Sequence, residues 1–291
     1  MEKIKSENVQ IPDIQTVIDL VGEEKSSMLL SQFVNGLRYL SSFDKFNPNE
    51  PLIMCLHGNS SCAETFSKIL ILARNKIQMV AVDLPGCGQS KRLPEYSMQS
   101  VANEIDELIE YFNPLKLYLV GHSLGGHLCG FISRIPMGVI LIGTPPLSSV
   151  EDFAKAFIRD EKSKQVVSLL GKSENFTQTE AKLFVSHTGV KDELLNIMID
   201  YAMKTDGLFR SGCLSTLVTV DQVKWLKNIK NMNINIILIH GTDDGVINKT
   251  YLLNLLEKNI VNDVLLLKGP HMLPVTNSKE VFSIIIEHMH C

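Results

Sequence analysis

The sequence lacks the marks of several protein classes. It has no stretch of about 20 apolar residues, which a membrane-spanning helix needs, and residues 1–15 lack the basic-then-apolar order of a signal peptide. No lysine- or arginine-rich run is present and the formal net charge is -4, so nucleic acid is not an expected partner. We therefore expect a cytoplasmic protein without a membrane span; the sequence leaves its oligomeric state open.

Cysteine pairs are also missing. The six cysteines are scattered through 291 residues without a C-x-x-C pair. This distribution fits neither a disulfide framework nor a structural zinc site. We expect free thiols and no bound metal.

Repeats and low-complexity segments are absent, and a hydrophobic fraction of 45% with 21% charged residues excludes a mainly disordered chain. Short apolar runs alternate with stretches of helical period, which is typical of the α/β class with a mostly parallel, eight-stranded sheet. The predicted strands are Leu29–Asn35, Leu37–Phe43, Leu52–Leu56, Met79–Val82, Leu117–Val120, Val139–Ile142, Ile234–Ile239 and Val264–Leu267. The predicted helices are Ile14–Val21, Ala63–Asn75, Met98–Phe112, Leu124–Arg134, Lys249–Glu257 and Lys279–Met289, which right-handed crossovers place on both faces.

A helical insertion interrupts this alternation. Between Gly143 and about Val218 there are only helical stretches, two of which begin with S/T-x-x-E capping boxes at Ser148 and Thr177. We predict an N-terminal extension at 1–30, a core at 31–143 and 219–291, and a helical lid insertion at 144–218. Ligands of parallel sheets bind beyond the carboxyl ends of the strands, so an insertion there would cover the site.

The sequence Gly121-His122-Ser123-Leu124-Gly125 directly follows one predicted strand and precedes a helical pattern. This is the context of a G-x-S-x-G nucleophile elbow, whose sharp turn presents a serine at the strand end. Glycine at both flanking positions lets the backbone reverse without a clash. The motif predicts Ser123 as a catalytic nucleophile.

A base and an acid follow in the order expected for such a serine. One strand runs into HGTDD at 240–244, and the next runs into KGPH at 268–271. His271 is predicted to accept the serine proton and then protonate the leaving oxygen, and Asp244 to hold the imidazole tautomer and stabilise its cation. Asp243 is the competing acid, but the spacing from Gly241 favours Asp244 and makes Asp243 a turn residue.

The segment Leu56-His57-Gly58-Asn59 ends another strand at the same edge. The backbone N–H of Asn59, with that of Leu124, is predicted to form an oxyanion hole. His57 is interpreted as a structural residue, because its position offers it no proton to move. The glycines of DLPGCGQS at 83–90 allow a phosphate cradle, but no lysine follows in P-loop spacing and the third glycine is missing, which favours a structural loop.

The order HGN, DLPGCGQS, GHSLGG, HGTDD and GPH resembles the α/β-hydrolase superfamily from about residue 30 onward. Within it, HGNSS at His57, DLPG at Asp83, GTPP at Gly143 and KTDG at Lys204 resemble the metal-independent α/β-hydrolase type of N-acyl-homoserine lactonases, which quench quorum sensing. No H-x-H-x-D-H cluster of the zinc-dependent lactonases is present. Dehalogenases and epoxide hydrolases of this fold carry aspartate in place of Ser123.

The leading hypothesis is a serine hydrolase without cofactor that acts on a small-molecule ester or lactone with an apolar acyl chain, above all on N-acyl-homoserine lactones. The alternatives are a general carboxylesterase and, from another class, a non-catalytic ligand-sensing protein. Six insertion residues could either line an acyl channel or form a plain core of the insertion. They are Phe153, Phe157, Phe184, Met198, Tyr201 and Met203.

Overall fold

A computed structural model describes residues 29–147, 150–158, 160–217, 234–257 and 260–289. The strands are β1 (Leu30–Val34), β2 (Leu37–Ser41), β3 (Leu52–Leu56), β4 (Gln78–Val82), β5 (Leu117–His122), β6 (Gly138–Ile142), β7 (Asn235–Gly241) and β8 (Asp263–Leu267). They form one sheet in the order β1-β2-β4-β3-β5-β6-β7-β8. The pairs β1–β2 and β2–β4 are antiparallel and the other pairs are parallel. The predicted fold class is confirmed.

Strand β3 illustrates how the sheet is buried on both faces. Leu52, Met54 and Leu56 belong to one hydrophobic cluster, whereas Ile53 and Cys55 belong to another. Successive side chains of a strand point to opposite faces, so a doubly covered strand must be apolar throughout. In this segment the polar residues His57 and Asn59 accordingly follow the end of β3.

Helices cover both faces of the sheet. Those outside the insertion are α1 (Ser67–Ala73), α2 (Met98–Phe112), α3 (Leu124–Leu128), α9 (Lys249–Glu257), α10 (Leu273–Thr276) and α11 (Ser278–Met289), with a short 3-10 helix at Ala63–Phe66. Helices α1 and α11 pack in the cluster that contains Ile53, whereas α2 and α9 pack in the cluster that contains Leu52. The predicted bounds of α2 are confirmed, and its start is capped by the Ser97 hydroxyl.

Two predicted helices differ from the structure, and a third lies outside the described residues. The stretch Leu124–Arg134 is helical only to Leu128, after which the backbone turns through hydrogen bonds from Gly130 and Phe131. It contains three glycines within seven residues, and each costs a helix about 1 kcal/mol relative to alanine. The stretch Ala63–Asn75 divides into the 3-10 helix and α1. The predicted helix at 14–21 is not among the described residues.

The described part of 144–217 holds five helices. They are α4 (Val150–Ala156), α5 (Glu161–Leu169), α6 (Gln178–His187), α7 (Asp192–Lys204) and α8 (Gly207–Leu217). Within this part the only extended pairing is an isolated bridge between Phe157 and Ile247. The Thr177 capping box is present, since Thr177 and Glu180 exchange hydrogen bonds, whereas Ser148 lies outside the described residues. The division into extension, core and lid stays a prediction.

Candidate active site

The turn at Ser123 has the sharp geometry that its motif predicts. Ser123 lies between β5 and α3 with φ 51 and ψ -117, a sparsely populated conformation that costs about 1–3 kcal/mol for a residue other than glycine. Its N–H donates to the carbonyl of Ile142 at 2.8 Å. A Cβ on Gly125 would lie 2.1 Å from the carbonyl oxygen of Leu56, so only glycine fits there. The turn brings Ser123 to the wall of a cavity.

His271 lines the same cavity and is held by Asp244. Its Nδ1 lies 2.8 Å from Asp244 Oδ2, and both side chains are buried. Burial alone would raise the pKa of Asp244, but the nearby charge of a protonated His271 and its hydrogen bond hold that pKa below its usual value. Asp243 points elsewhere and pairs with Lys268 Nζ at 2.6 Å on the surface. The structure therefore places Ser123 and His271 on the wall of one cavity, with Asp244 hydrogen-bonded to His271, and separates Asp243 from them.

The loop that carries Asp244 is fixed from two sides. Its own backbone contributes, because Asp244 Oδ1 accepts hydrogen bonds from the N–H groups of Val246 and Ile247 at 2.7 and 3.0 Å. The insertion contributes the N–H of Ile158, which donates to the carbonyl of Val246 at 3.0 Å. It also contributes His187, whose Nε2 donates to the carbonyl of Gly245 at 2.8 Å. The insertion thus holds the acid loop in place.

Asn59 and Leu124 line the cavity beside Ser123. No acceptor among the described residues is bonded to the backbone N–H of either one. The chain before Asn59 runs close to the serine, since a Cβ on Gly58 would lie 3.1 Å from Ser123 Cβ. Both amides are therefore available to an oxygen bound next to Ser123.

His57 stabilises the loop that carries Asn59. Its Nε2 accepts a hydrogen bond from the N–H of Leu84 at 3.0 Å, and its Nδ1 donates to the carbonyl of Gly58 at 2.8 Å. Burial lowers the pKa of His57 to about 4, so the ring is neutral at physiological pH. These contacts support the structural interpretation of His57.

The loop at 83–90 is tied to a buried charge cluster. Asp83 accepts hydrogen bonds from the N–H groups of Ala63 and Gln89 at 2.7 and 2.8 Å, and from Arg38 Nη1 at 2.9 Å. Arg38 Nη2 also pairs with Glu64 Oε1 at 2.8 Å. The Asp83 carboxylate thus serves the loop itself, which supports a structural loop rather than a phosphate cradle. Sequence reasoning missed Arg38 and Glu64, for which no motif gave a signal.

The cavity measures about 730 Å³ with its opening included, and apolar side chains make up most of its wall. The lining residues are Gly58, Asn59, His122, Ser123, Leu124, His127, Pro145, Leu147, Phe153, Phe157, Val166, Leu170, Phe184, Thr188, Leu214, Leu217, Val246, His271 and Met272. Of the six candidate insertion residues, the three phenylalanines line the cavity. Met198 and Met203 pack within the insertion, and the Tyr201 hydroxyl donates to Glu64 Oε1 at 3.0 Å.

Two further histidines, which sequence reasoning did not single out, also line the cavity. Burial lowers the pKa of both His122 and His127 to about 3, so both are neutral at physiological pH. His122 Nε2 lies 3.2 Å from the carbonyl oxygen of His271. The sequence does indicate the position of His127, because residues four positions apart lie on the same face of a helix and His127 comes four positions after Ser123. Among the described lining residues there is no aspartate, glutamate, lysine or arginine.

A family profile described as an alpha/beta hydrolase fold matches residues 51–278. The chain belongs to the α/β-hydrolase family. This membership confirms the family and the enzyme class that the motifs predict. Over the part of this α/β-hydrolase that the structure describes, no three His, Cys, Asp or Glu side chains are grouped as metal ligands, and no helix is long and apolar enough to cross a membrane.

Curated relatives of this α/β-hydrolase match over parts of their length. An uncharacterized hydrolase, YugF, of Bacillus subtilis is 36% identical over 84 residues, which are 28% of this chain and 31% of the relative. A serine hydrolase-like protein of Danio rerio is 26% identical over 198 residues, which are 63% of this chain and 59% of the relative. The chain therefore spans less than two thirds of either protein.

Solved structures share the fold over most of their length. The N-acyl homoserine lactonase AidH in complex with N-butanoyl homoserine superposes with a TM-score of 0.71 and 18% identity, covering 91% of this chain and 98% of that one. A putative aryl esterase from Burkholderia cenocepacia has a TM-score of 0.71 and 14% identity, covering 87% and 94%. At these identities the likeness is one of fold.

Proposed function

We propose that this α/β-hydrolase is a serine hydrolase that opens the ring of N-acyl-homoserine lactones and uses no cofactor. The observation that carries the proposal is the His271–Asp244 hydrogen bond at the wall of an apolar cavity that Ser123 also lines. A nucleophile, a base and an orienting acid at one cavity are the parts that acyl transfer needs.

In the first half of the reaction, Ser123 Oγ attacks the lactone carbonyl carbon and His271 Nε2 takes the hydroxyl proton. Asp244 on Nδ1 keeps Nε2 free to accept that proton and stabilises the imidazolium. The backbone N–H groups of Asn59 and Leu124 bind the oxyanion of the tetrahedral intermediate, and one such donor contributes about 2.7–4 kcal/mol. The ring C–O bond then breaks, and His271 gives its proton to the leaving alkoxide.

In the second half, His271 takes a proton from water and the resulting hydroxide attacks the acyl-enzyme carbonyl. The second tetrahedral intermediate collapses, the ester bond to Ser123 breaks, and the serine oxygen recovers the proton from His271. A lactone makes one extra demand, because its leaving alkoxide stays tethered to the acyl group and can reclose the ring. Prompt protonation by His271 and entry of water prevent this.

The cavity supports a neutral substrate with an apolar acyl chain. Its wall is mostly apolar with a few polar groups near Ser123, which is the usual composition of a small-molecule site. The described wall offers no charged side chain to bind a carboxylate on the substrate. The sequence strings HGNSS, GTPP and KTDG favour a lactone within this class.

Paired kinetics test the proposal. Purified protein is assayed on a series of acyl-homoserine lactones and on methyl esters of matched acyl length, with ring-opened product identified by mass. We expect a higher kcat/KM for the lactone at each length and a preference that grows with length, because remote binding energy orients the ring against Ser123. Ser123→Ala is the control and abolishes turnover of both series.

Three other results are informative. Faster turnover of the esters at every length would replace the lactonase assignment with a general carboxylesterase. Full turnover in Ser123→Ala would remove Ser123 from the mechanism. Ligand binding without an acyl-enzyme burst on an activated ester would favour a ligand-sensing protein.

A further inference from the structure

Arg210 of α8 is a fully buried arginine with no carboxylate partner among the described residues. Its guanidinium donates to the backbone carbonyls of Lys172, Glu174 and Thr205 at 3.1, 2.6 and 3.4 Å. It also stacks 3.9 Å over the ring of Phe176. A buried cation is costly unless its donors are satisfied. The Arg210 guanidinium therefore joins two separate backbone segments of the insertion, one at Lys172 and Glu174 and the other at Thr205.

The fourth partner of Arg210 lies in the core. Arg210 Nη1 donates to Ser60 Oγ at 3.3 Å, and Ser60 Oγ donates to Asn59 Oδ1 at 2.9 Å. Asn59 Nδ2 in turn donates to the carbonyl of Leu170 at 2.9 Å. Ser60 has φ 54, a left-handed conformation that is unfavourable for serine without supporting contacts. A continuous chain of hydrogen bonds therefore joins the insertion to the residue that offers an oxyanion donor.

We propose that Arg210 is a positioning residue that acts through Ser60 to hold the backbone N–H of Asn59 in line with the oxyanion. The inference rests on the proposed serine hydrolase mechanism. It adds that half of the oxyanion hole depends on a side chain from the insertion, 150 residues away from Ser60 along the chain.

The chemistry of the guanidinium explains why arginine is needed here. Its planar fork carries five donors in fixed directions, which lets one group hold three carbonyls and a hydroxyl at once. A lysine has the same charge but neither the reach nor the directions. An N–H that moves by about 1 Å stabilises the transition state much less, and the rate can fall on the order of 100-fold.

Arg210→Lys and Ser60→Ala test the inference, with Ser211→Ala as the matched control. Ser211 lies on the same helix, and within the described residues its hydroxyl bonds only to the carbonyls of Gly207 and Leu208. Each variant is titrated by the acyl-enzyme burst on a p-nitrophenyl ester, so that kcat refers to active sites alone. The rate of inactivation by an alkyl phosphonate is measured as well, because its phosphoryl oxygen occupies the oxyanion position.

We expect kcat per titrated site to fall about 10- to 100-fold in Arg210→Lys and about tenfold in Ser60→Ala, with KM within about twofold of the parent. Phosphonate inactivation slows in the same proportion, and Ser211→Ala behaves like the parent. A purely structural arginine would lower the burst amplitude and leave kcat per site unchanged. If the parent is active, an unchanged kcat per site in both variants would overturn the positioning role of Arg210 and leave the proposed function standing. A parent that neither hydrolyses esters nor reacts with phosphonate would overturn the proposed function as well.

Discussion

The two sides of the cavity differ in how their residues are held. On the core side, polar groups such as Ser123, His57 and Asp244 are fixed by short hydrogen bonds to backbone atoms near strand ends. On the insertion side, Phe153, Phe157 and other apolar side chains meet the cavity through non-directional contacts. Under the proposed function, the polar groups at the strand ends carry the chemistry and the apolar wall from the insertion sets the fit of the acyl group.

This contrast has a physical basis. Hydrogen bonds weaken steeply when their angles change, so a group that moves protons tolerates little displacement. Apolar contacts scale with buried area and tolerate rearrangement. Substitutions of the polar groups that position the chemistry, Arg210 included, are therefore expected to change kcat, and those of the apolar side chains on the cavity wall to change substrate preference.

The largest effect is expected at the acid. Asp244→Asn removes the charge that orients His271, and kcat should fall on the order of 10³- to 10⁴-fold, as loss of this group does in other triads. Asp243→Asn is the matched control and should cost little, since its carboxylate pairs with Lys268. Steady-state kinetics on one ester measure both. A larger loss of kcat in Asp243→Asn than in Asp244→Asn would identify Asp243 as the acid of the triad. Near-normal rates in both variants would mean that the acid follows another strand.

An intermediate effect is expected on the insertion side. Phe153→Ala removes part of the apolar wall, and kcat/KM for a long-acyl substrate should fall about tenfold relative to a short-acyl one, because about 1–1.5 kcal/mol of burial is lost. Leu183→Ala is the control, since Leu183 packs within the insertion and does not line the cavity. Kinetics over an acyl-length series measure the ratio. An equal loss at all lengths would contradict a role of this wall in acyl fit.

The smallest effect is expected on the free energy of unfolding at low pH, through His57 on the core side. The folded-state pKa of His57 is about 4, below the 6.5 of an ordinary histidine. Between these values the unfolded chain binds the proton and the folded one does not, so stability decreases as pH falls from about 6.5 to about 4. His57→Gln should remove a slope of up to about 1.4 kcal/mol per pH unit.

Urea unfolding at pH 7 and pH 5 measures this slope. The parent should lose more stability than His57→Gln between the two pH values. Equal losses in both proteins would mean that His57 does not supply the proton uptake of unfolding.

Sequence patterns predicted the parts that depend on neighbouring residues. Strand β3 and helix α2 follow from an apolar run and from a helical period, and their bounds agree with the prediction. The elbow follows from the glycines two positions before and after Ser123. Helix α3 ended early because its glycines oppose a helix that the apolar pattern alone favours.

Contacts between distant segments were not predictable in this way. Arg38 meets Glu64 across 26 residues, and Arg210 meets Ser60 across 150. A buried arginine has the same appearance in the sequence as a solvated one, because its partners are backbone carbonyls or side chains that the fold alone brings near. The roles of the insertion in holding Asn59 and the acid loop belong to this class.

Under the proposed mechanism, the order of the three residues along the chain also determines when activity can arise during synthesis. Ser123 follows β5, whereas Asp244 follows β7 and His271 follows β8, at the far edge of the sheet. A growing chain thus contains the serine elbow before Asp244 and His271 have been made. By the proposed mechanism, the nascent protein gains esterase activity only after β7 and β8 have left the ribosome and paired with the sheet.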